Sequence, residues 1–373
     1  MRVAVIIDTW YPYVGGGQIN AWQISKRIAH SGARIDIITR DNGADLLKLP
    51  KNLQVIKLGR QTSPSDTLSK LIFLARSFLY IYSHKYDLIH AHAFLPGIVA
   101  RLLMVTCSVP ATFTVHGTSI GTDLLNPVAR FIEKFILTEI RYSAQISTSR
   151  DFLKIENINK NIFYIPNAVS ISDFDKVKAA KFKNPTLIFV GRLHPQKNLK
   201  TLIVAISSLT RDFPAITLLI VGKGPQKQEL RRLIGKMRLT GNVKFLGEKF
   251  GSDLIKLYKS SHVFVLPSIY EGQPLTLLEA WAARLPVIVT KTGDCQFLVK
   301  NGRSGYFIED PYNPEEISKT VKKALKSPNL AHMGQNGYNL VKENFSWNKS
   351  AQKTLEIYNE ITGYHNSIFS IPS

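Results

Sequence analysis

The sequence predicts an α/β protein made of two Rossmann-like parallel-sheet domains facing across a cleft. Three observations carry that expectation. The chain has 373 residues, more than one hydrophobic core usually supports. Short apolar β-type runs alternate with helical patterns through both halves, which is the signature of an open parallel sheet. Several of these runs end in glycine-bearing loops that lead into a helix, where such sheets bind ligands. The expected boundaries are residues 1–168 for the first domain, 169–345 for the second and 346–373 for a closing helix.

Composition narrows the class. Hydrophobic residues make up 45% of the chain and charged residues 20%, the balance of an ordinary globular protein. Lys and Arg number 48 against 27 Asp and Glu, a net charge of +21. That excess favours anionic partners: phosphorylated ligands, an acidic membrane surface or nucleic acid. The charge is spread out, with Lys176, Lys178, Lys181 and Lys183 as its densest run, so no basic arm is present and a solvated basic surface accounts for most lysines. The two cysteines, Cys107 and Cys295, offer neither zinc spacing nor a disulfide framework, which fits a reducing, cytoplasmic setting. The apolar start is broken by Asp8 and is too short for a signal peptide. The apolar stretch Leu71 to Tyr82 is broken by Arg76 and too short to span a bilayer, so no transmembrane helix is expected.

In the first half, Val3 to Ile7 reads as a buried parallel strand. The loop Asp8 to Gly17 follows, then a helix from about Gln18 to His30, then a strand at Ile35 to Thr39. This βαβ unit lacks GxGxxG, so a dinucleotide fingerprint is not supported. Gly15, Gly16 and Gly17 offer backbone N–H groups at a helix start, an oxygen-binding nest or simply a turn. Further strands are expected at Gln54 to Leu58, Leu88 to Ala91, Ala111 to Val115 and Gln145 to Ser147. His116 follows one strand end and so points into the expected cleft. His90 and His92 share one strand face; such a pair can ligate metal, but no third ligand of suitable spacing accompanies it. Two segments, Leu68 to Lys85 and Leu124 to Arg141, are amphipathic and basic. Core helices explain them, and contact with an anionic membrane is the minority reading.

Tyr164 to Ser170 and the polar stretch through Asn184 read as the inter-domain crossing. Asp173-Phe-Asp175 matches DxD but lies outside any strand end, so it is not assigned to metal. Alternation then resumes. Strands are expected at Thr186 to Val190, Ile216 to Val221, Val243 to Leu246, Val263 to Leu266, Val287 to Val289 and Tyr306 to Ile308, and a final helix at Trp347 to Ile361. Arg192 and Lys197 bracket the loop after the first of these, and Asn198 is read as the N-cap of the next helix. A diphosphate there would meet two cations and a helix N-terminus.

The stretch Ser268 to Pro286 lies between two apolar strands. Pro274 stands near a helix start, where proline costs least. Glu271 lies in the loop before the helix, and Glu279 lies on the helix, on the face of Leu275. An anion site with two hydroxyl-accepting carboxylates suggests a nucleotide sugar, and from these residues alone a solvated helix start with two unrelated acids explains them equally well.

With these motifs in order, the chain resembles the retaining family 4 glycosyltransferases of the GT-B fold, over nearly its whole length. Glu271-Gly-Gln-Pro-Leu-Thr-Leu-Leu-Glu279 is similar to that family's E-x7-E signature, and Phe189-Val-Gly-Arg192 with Lys197 to its phosphate-binding segment. Gly16-Gly17, Ile89 to His92, His116-Gly117 and Ile165 to Val169 fall in the family's order. The resemblance implies that Arg192 and Lys197 hold the leaving diphosphate, beside Gly191. It implies Glu279 on the ribose, Glu271 on the donor sugar, and backbone N–H groups of Gly272, Gln273, Pro274's neighbours Leu275 and Thr276 on sugar and phosphate. His116 would lie beside the transferred sugar, Gly16 and Gly17 near the phosphates and the acceptor, and Asn167 among the donor-binding residues. It implies no metal and no cofactor, the nucleoside diphosphate sugar being a substrate, and a last helix that crosses back to an acceptor-side first domain. The linker reads Asn167-Ala-Val-Ser170 where the family often has Asn-Gly-Val-Asp, so its last position carries no role.

The implied reaction is retaining transfer of a hexose-type unit to a glycan or lipid-linked acceptor in the cytoplasm, or at the inner face of the cell membrane. Nucleic acid is not an expected partner. Retaining glycosidases need two carboxylates about 5 Å apart, a role that a ribose-bound Glu279 does not fill. Same-face attack is therefore preferred over a covalent Glu271 intermediate. A nucleotide-sugar epimerase of the same fold and a non-catalytic nucleotide-sugar binder remain as alternatives.

Overall fold

A computed structural model gives the fold. It describes every residue except 44–47, 64–65, 118–126, 156–157, 365–370 and 372–373, and all but the side chain at 129. The chain divides into two compact units, Met1–Asn167 with Trp347–Ser373, and Ala168–Ser346.

The first unit is built on a seven-stranded parallel sheet. Its strands are β1 (Arg2–Ile6), β2 (Arg34–Arg40), β3 (Leu53–Leu58), β4 (Leu88–His92), β5 (Ala111–Val115), β6 (Ala144–Ser147) and β7 (Ile162–Tyr164). The spatial order is β3-β2-β1-β4-β5-β6-β7. Strands such as Val3 to Ile6 are buried on both faces, which is why they read as continuous apolar runs and not as alternation. Strand β2 carries charge inside, and its Asp36 is fully buried. It is neutralised by Arg2 Nη2 at 2.6 Å and accepts from Gln54 Nε2 at 2.8 Å and Tyr86 Oη at 2.9 Å, which offsets the cost of desolvating it.

Among the described residues, four α-helices of this unit precede the second: α1 (Gly16–His30), α2 (Thr67–Tyr82), α3 (Phe94–Cys107) and α4 (Pro127–Thr138). Helix α2 starts on Asp66, whose side chain accepts from Ser69 N at 3.1 Å, an N-cap that satisfies one of the orphan donors. Residues 124–126, expected to open α4, lie outside the described residues. Helix α1 corrects the sequence reading. Ile19 N donates to Gly15 O at 3.0 Å, so Gly16 and Gly17 form the first helical turn and not a loop.

The second unit carries a six-stranded parallel sheet of β8 (Thr186–Val190), β9 (Thr217–Val221), β10 (Val243–Gly247), β11 (Val263–Leu266), β12 (Val287–Thr290) and β13 (Gly305–Ile308), in the order β10-β9-β8-β11-β12-β13. Its helices are α5 (Ile171–Lys176), α6 (Leu199–Leu209), α7 (Lys227–Lys236), α8 (Gly251–Ser260), α9 (Leu275–Ala282), α10 (Cys295–Leu298), α11 (Pro314–Leu325) and α12 (Leu330–Asn344). The segment read as linker therefore contains a helix, α5. Asp175 of the DxD match anchors that helix, accepting from Tyr338 Oη at 2.8 Å and pairing with Arg284 at 3.2 Å. Asn198 also departs from expectation. It stands at the N-cap position of α6 with φ +53° and caps no backbone N–H; its Oδ1 accepts from Thr201 Oγ1 at 2.7 Å and its Nδ2 donates to Pro311 O at 2.6 Å. The ends of the unit lie side by side, Val169 N donating to Phe345 O at 3.1 Å.

Helix α13 (Trp347–Thr362) returns to the first unit and packs on α1. It buries Trp347, Leu355, Ile357 and Tyr358. Ser350 Oγ donates to Pro166 O at 2.9 Å, and Arg27 Nε to Asn348 Oδ1 at 2.7 Å. Among the described residues no helix is long and apolar enough to cross a membrane.

Candidate active site

In the second unit the chain runs from β8 outward through β9 and β10, then returns to β11 on the other side of β8. The loops after β8 and β11 therefore lead in opposite directions, and the crevice at their carboxyl ends is the topological switch point where open α/β sheets bind ligands. Lys197 and Glu271 meet there as an ion pair, Nζ to Oε1, with side-chain exposures of 14% and 7%. Their loops are clipped together by Ile269 N donating to Gln196 O at 2.8 Å and Gln196 Nε2 to Tyr270 O at 2.9 Å. Arg192 is exposed on the same loop. His194, between the two cations, is pushed below its ordinary value by burial first and then by Arg192 and Lys197, so the loop is electropositive.

Glycines fix how closely these loops approach. Gly222 has φ +135°, and a Cβ there would lie 2.0 Å from Gly191 O. Gly293 has φ +50°, and its Cβ would lie 2.1 Å from Gly272 O. Only glycine allows both the backbone conformation and the contact. Asp294 N donates to Gly272 O at 2.8 Å, and Gln273 Nε2 to Asp294 Oδ2 at 2.9 Å, so the 291–294 loop holds the turn that opens α9. Pro274 is the N-cap of α9, extended at ψ 121°. Leu275 and Thr276 begin the helix, where the first N–H groups have no intrahelical acceptor and favour an anion.

Glu279 lies one turn into α9. Its Oε2 accepts from the Oη of buried Tyr258 on α8 at 2.9 Å. Desolvation raises its carboxyl to about 7, and the Tyr258 hydrogen bond works against that rise. Arg192, Lys197, Gly191, Glu271, Gly272, Gln273, Pro274, Leu275, Thr276 and Glu279 are thus gathered at one end of one sheet.

Gly16, Gly17 and His116 gather at the corresponding end of the first sheet. A Cβ on Gly17 would come within 3.3 Å of the His116 ring. His116 Nε2 is 2.9 Å from His92 Nδ1, with the rings stacked at 5.2 Å. His90 Nε2 is 2.6 Å from Thr114 Oγ1, and its Nδ1 contacts the Oη of Tyr358 from α13. Burial lowers His90 to about 3 and His116 to about 4, and holds His92 well below its ordinary value. All three are neutral at neutral pH, and the His92–His116 bond needs one ring nitrogen protonated and the other bare. His90 and His92 do share a face, but both are committed to these bonds. Among the described residues no cluster of three or more His, Cys, Asp and Glu is placed to hold a metal ion. Asn167 is buried, its Oδ1 accepting from Asn20 Nδ2 of α1 at 2.9 Å; it is the last residue of the first unit before the chain enters the second.

Sequence reasoning missed Tyr258, Gly222, Gly293 and Asp294. Gly222 directly follows the end of β9 and Gly293 lies three residues after the end of β12, a usable signal. Tyr258 carries none, because a tyrosine on a helix face reads as core.

Two family models together match residues 14–340 of the chain. Glycosyltransferase Family 4 covers residues 14–173 and Glycosyl transferases group 1 covers residues 170–340. The chain belongs to the family 4 glycosyltransferases, with the GT-B type of fold. Among curated relatives it is 28% identical to an uncharacterised glycosyltransferase of Methanocaldococcus jannaschii, over 96% of this chain and 98% of that one. It is also 28% identical to the UDP-Gal:alpha-D-GlcNAc-diphosphoundecaprenol alpha-1,3-galactosyltransferase of Escherichia coli, over 89% and 92%. Among solved structures it is similar to sucrose-phosphate synthase of Thermosynechococcus elongatus, with TM-score 0.84 at 23% identity over 97% and 99%. HepE of Anabaena, in complex with UDP-glucose, gives TM-score 0.77 at 20% identity over 96% and 100%.

Proposed function

We propose that this glycosyltransferase moves a sugar from a nucleoside diphosphate sugar to a glycan or lipid-linked acceptor, with retention at the anomeric carbon and without a metal. The observation that carries the reading is the Lys197–Glu271 pair at the switch point, beside exposed Arg192 and the start of α9. A diphosphate entering there draws Lys197 away from Glu271. Lys197 and Arg192 then stabilise the negative charge that grows as the sugar leaves. Glu271, released, accepts from a sugar hydroxyl, and Glu279 accepts from the ribose.

The acceptor oxygen attacks the anomeric carbon on the face the phosphate leaves. The carbon–phosphate-oxygen bond breaks, and the leaving phosphate oxygen takes the acceptor's proton. No side chain has to act as nucleophile, since Glu279 is held by Tyr258 one turn up α9 and Glu271 is occupied by the sugar hydroxyl it accepts from. Two relatives support the substrate classes: the Escherichia coli enzyme is named for a UDP-sugar donor and a diphospholipid acceptor, and HepE was solved with UDP-glucose.

Thermal shift against UDP, GDP, ADP and their sugars tests the reading. A rise in melting temperature with at least one nucleotide is expected, and none with any of them would sink it. Product analysis with donor alone separates the alternatives: an altered sugar on the nucleotide makes the protein an epimerase. A glycosylated Glu271 trapped by mass spectrometry would replace same-face attack with a covalent route.

A further inference from the structure

Helix α2 has two apolar faces. Phe73, Ser77 and Ile81 recur at every fourth residue and are buried in the first unit. Leu68, Leu71, Ile72, Leu79 and Tyr82 form a second stripe, centred about 180° away at 3.6 residues per turn. All five are exposed, Leu79 by 64%. A helix needs one apolar face to join a core, and among the described residues the second face meets no partner.

The neighbouring helices repeat the feature. Helix α4 exposes Val128, Phe131, Ile132 and Phe135, at i, i+3, i+4 and i+7. Phe131 is 69% exposed, and its ring stacks on Phe135 at 6.4 Å. Helix α3 packs against both α2 and α4 and exposes Leu102 and Val105. One helical layer therefore turns three apolar stripes to solvent, which soluble monomers rarely do without a partner.

Charge identifies the partner. Within α2, α3 and α4 the cations are Lys70, Arg76, Arg101, Arg130 and Lys134, and the single anion is Glu133. The ratio of basic to acidic residues there is far above the 48 to 27 of the whole chain. We propose that the α2–α3–α4 layer of the first unit docks on an anionic lipid membrane, its Leu, Ile and Phe side chains entering the headgroup boundary while the lysines and arginines meet lipid phosphates. A second copy of the chain fits less well, because a two-fold contact would bring the same positive face against itself. The docking goes beyond the proposed transfer reaction and needs no nucleotide, so it stands or falls separately.

Co-sedimentation of the full chain with phosphatidylcholine vesicles, with and without phosphatidylglycerol, tests it. Binding is expected only where phosphatidylglycerol is present, and it should weaken as salt rises. Leu79→Gln with Phe131→Gln should fold normally, since both sites are exposed, and should bind at least about tenfold more weakly. Arg76→Gln with Lys134→Gln should also bind more weakly and lose part of the salt dependence. The proposal is overturned if the wild-type chain fails to sediment with phosphatidylglycerol vesicles, or if neither pair of substitutions changes binding. It is equally overturned if sedimentation velocity shows a dimer that Leu79→Gln with Phe131→Gln dissolves, which assigns the face to a second copy.

Discussion

Lys197 and Glu271 are each other's counter-charge, so a substitution at one changes the other. Lys197→Ala removes a cation from the leaving group and leaves Glu271 buried without a partner. Turnover should fall by about 10²–10³-fold, the usual loss for one preorganised electrostatic contact, and the melting temperature should drop as well. Adding Glu271→Gln should restore the melting temperature without restoring turnover; recovery of both would remove Lys197 from the chemistry. Glu279 makes a second prediction, in pH. Its carboxyl sits near 7 against an ordinary 4.5, so folding favours the protonated form. The stability this brings is full below about 4.5 and is lost as pH rises through 7. Ribose binding asks for the ionised form, so nucleotide affinity should rise across the same window. Tyr258→Phe deletes the hydrogen bond that restrains the shift and should move that midpoint to higher pH. Isothermal titration at several pH values reads it, and an unmoved midpoint would take Glu279 out of nucleotide binding.

At the scale of elements, the site is a set of strand-end loops pressed together. Gly293 shows how tightly: alanine there must adopt φ +50° and push its Cβ into Gly272 O. The left-handed backbone alone costs about 1–2 kcal/mol. Gly293→Ala should therefore lower the melting temperature of the second unit by several degrees, at roughly 2–4 °C per kcal/mol, and weaken nucleotide binding by disturbing Gly272 to Thr276. An unchanged melting temperature would mean that the loops can part without loss. These elements differ in how readable they were. The buried strands were legible almost to the residue, because a strand covered on both faces must be apolar throughout. Thr186–Val190 and Ala111–Val115 were read without error. Helix starts were less so: Gly16 and Gly17 read as loop, and Asn198 read as a cap although its side chain bonds Thr201 and Pro311 instead. The site residues were legible as strand-end types, but their partners were not. Lys197 and Glu271 are 74 positions apart, and no local pattern says that they pair. Tyr258 was invisible for the same reason, since its role depends on a neighbour supplied by packing.

At the scale of the whole molecule, the second unit interrupts the first. It begins at Ala168 and ends at Ser346, with Val169 and Phe345 joined by a hydrogen bond. Truncation after Ser346 removes Trp347, Leu355, Ile357 and Tyr358 from the first unit. Each is worth about 1.5–3 kcal/mol of burial, and together they rival the about 5–15 kcal/mol that holds a domain folded. Calorimetry of the truncated chain should show the first unit's transition gone and the second's kept. Loss of both would mean that the second unit cannot stand alone. The same layout sets an order of events at the ribosome. Chains fold unit by unit as they emerge. All of residues 168–346 is made before α13 exists, so the half of the protein that begins first must be the half that finishes last. Until its final helix arrives, the nascent first sheet waits with α1 and His90 uncovered, a stretch of time in which chaperones have a defined surface to guard.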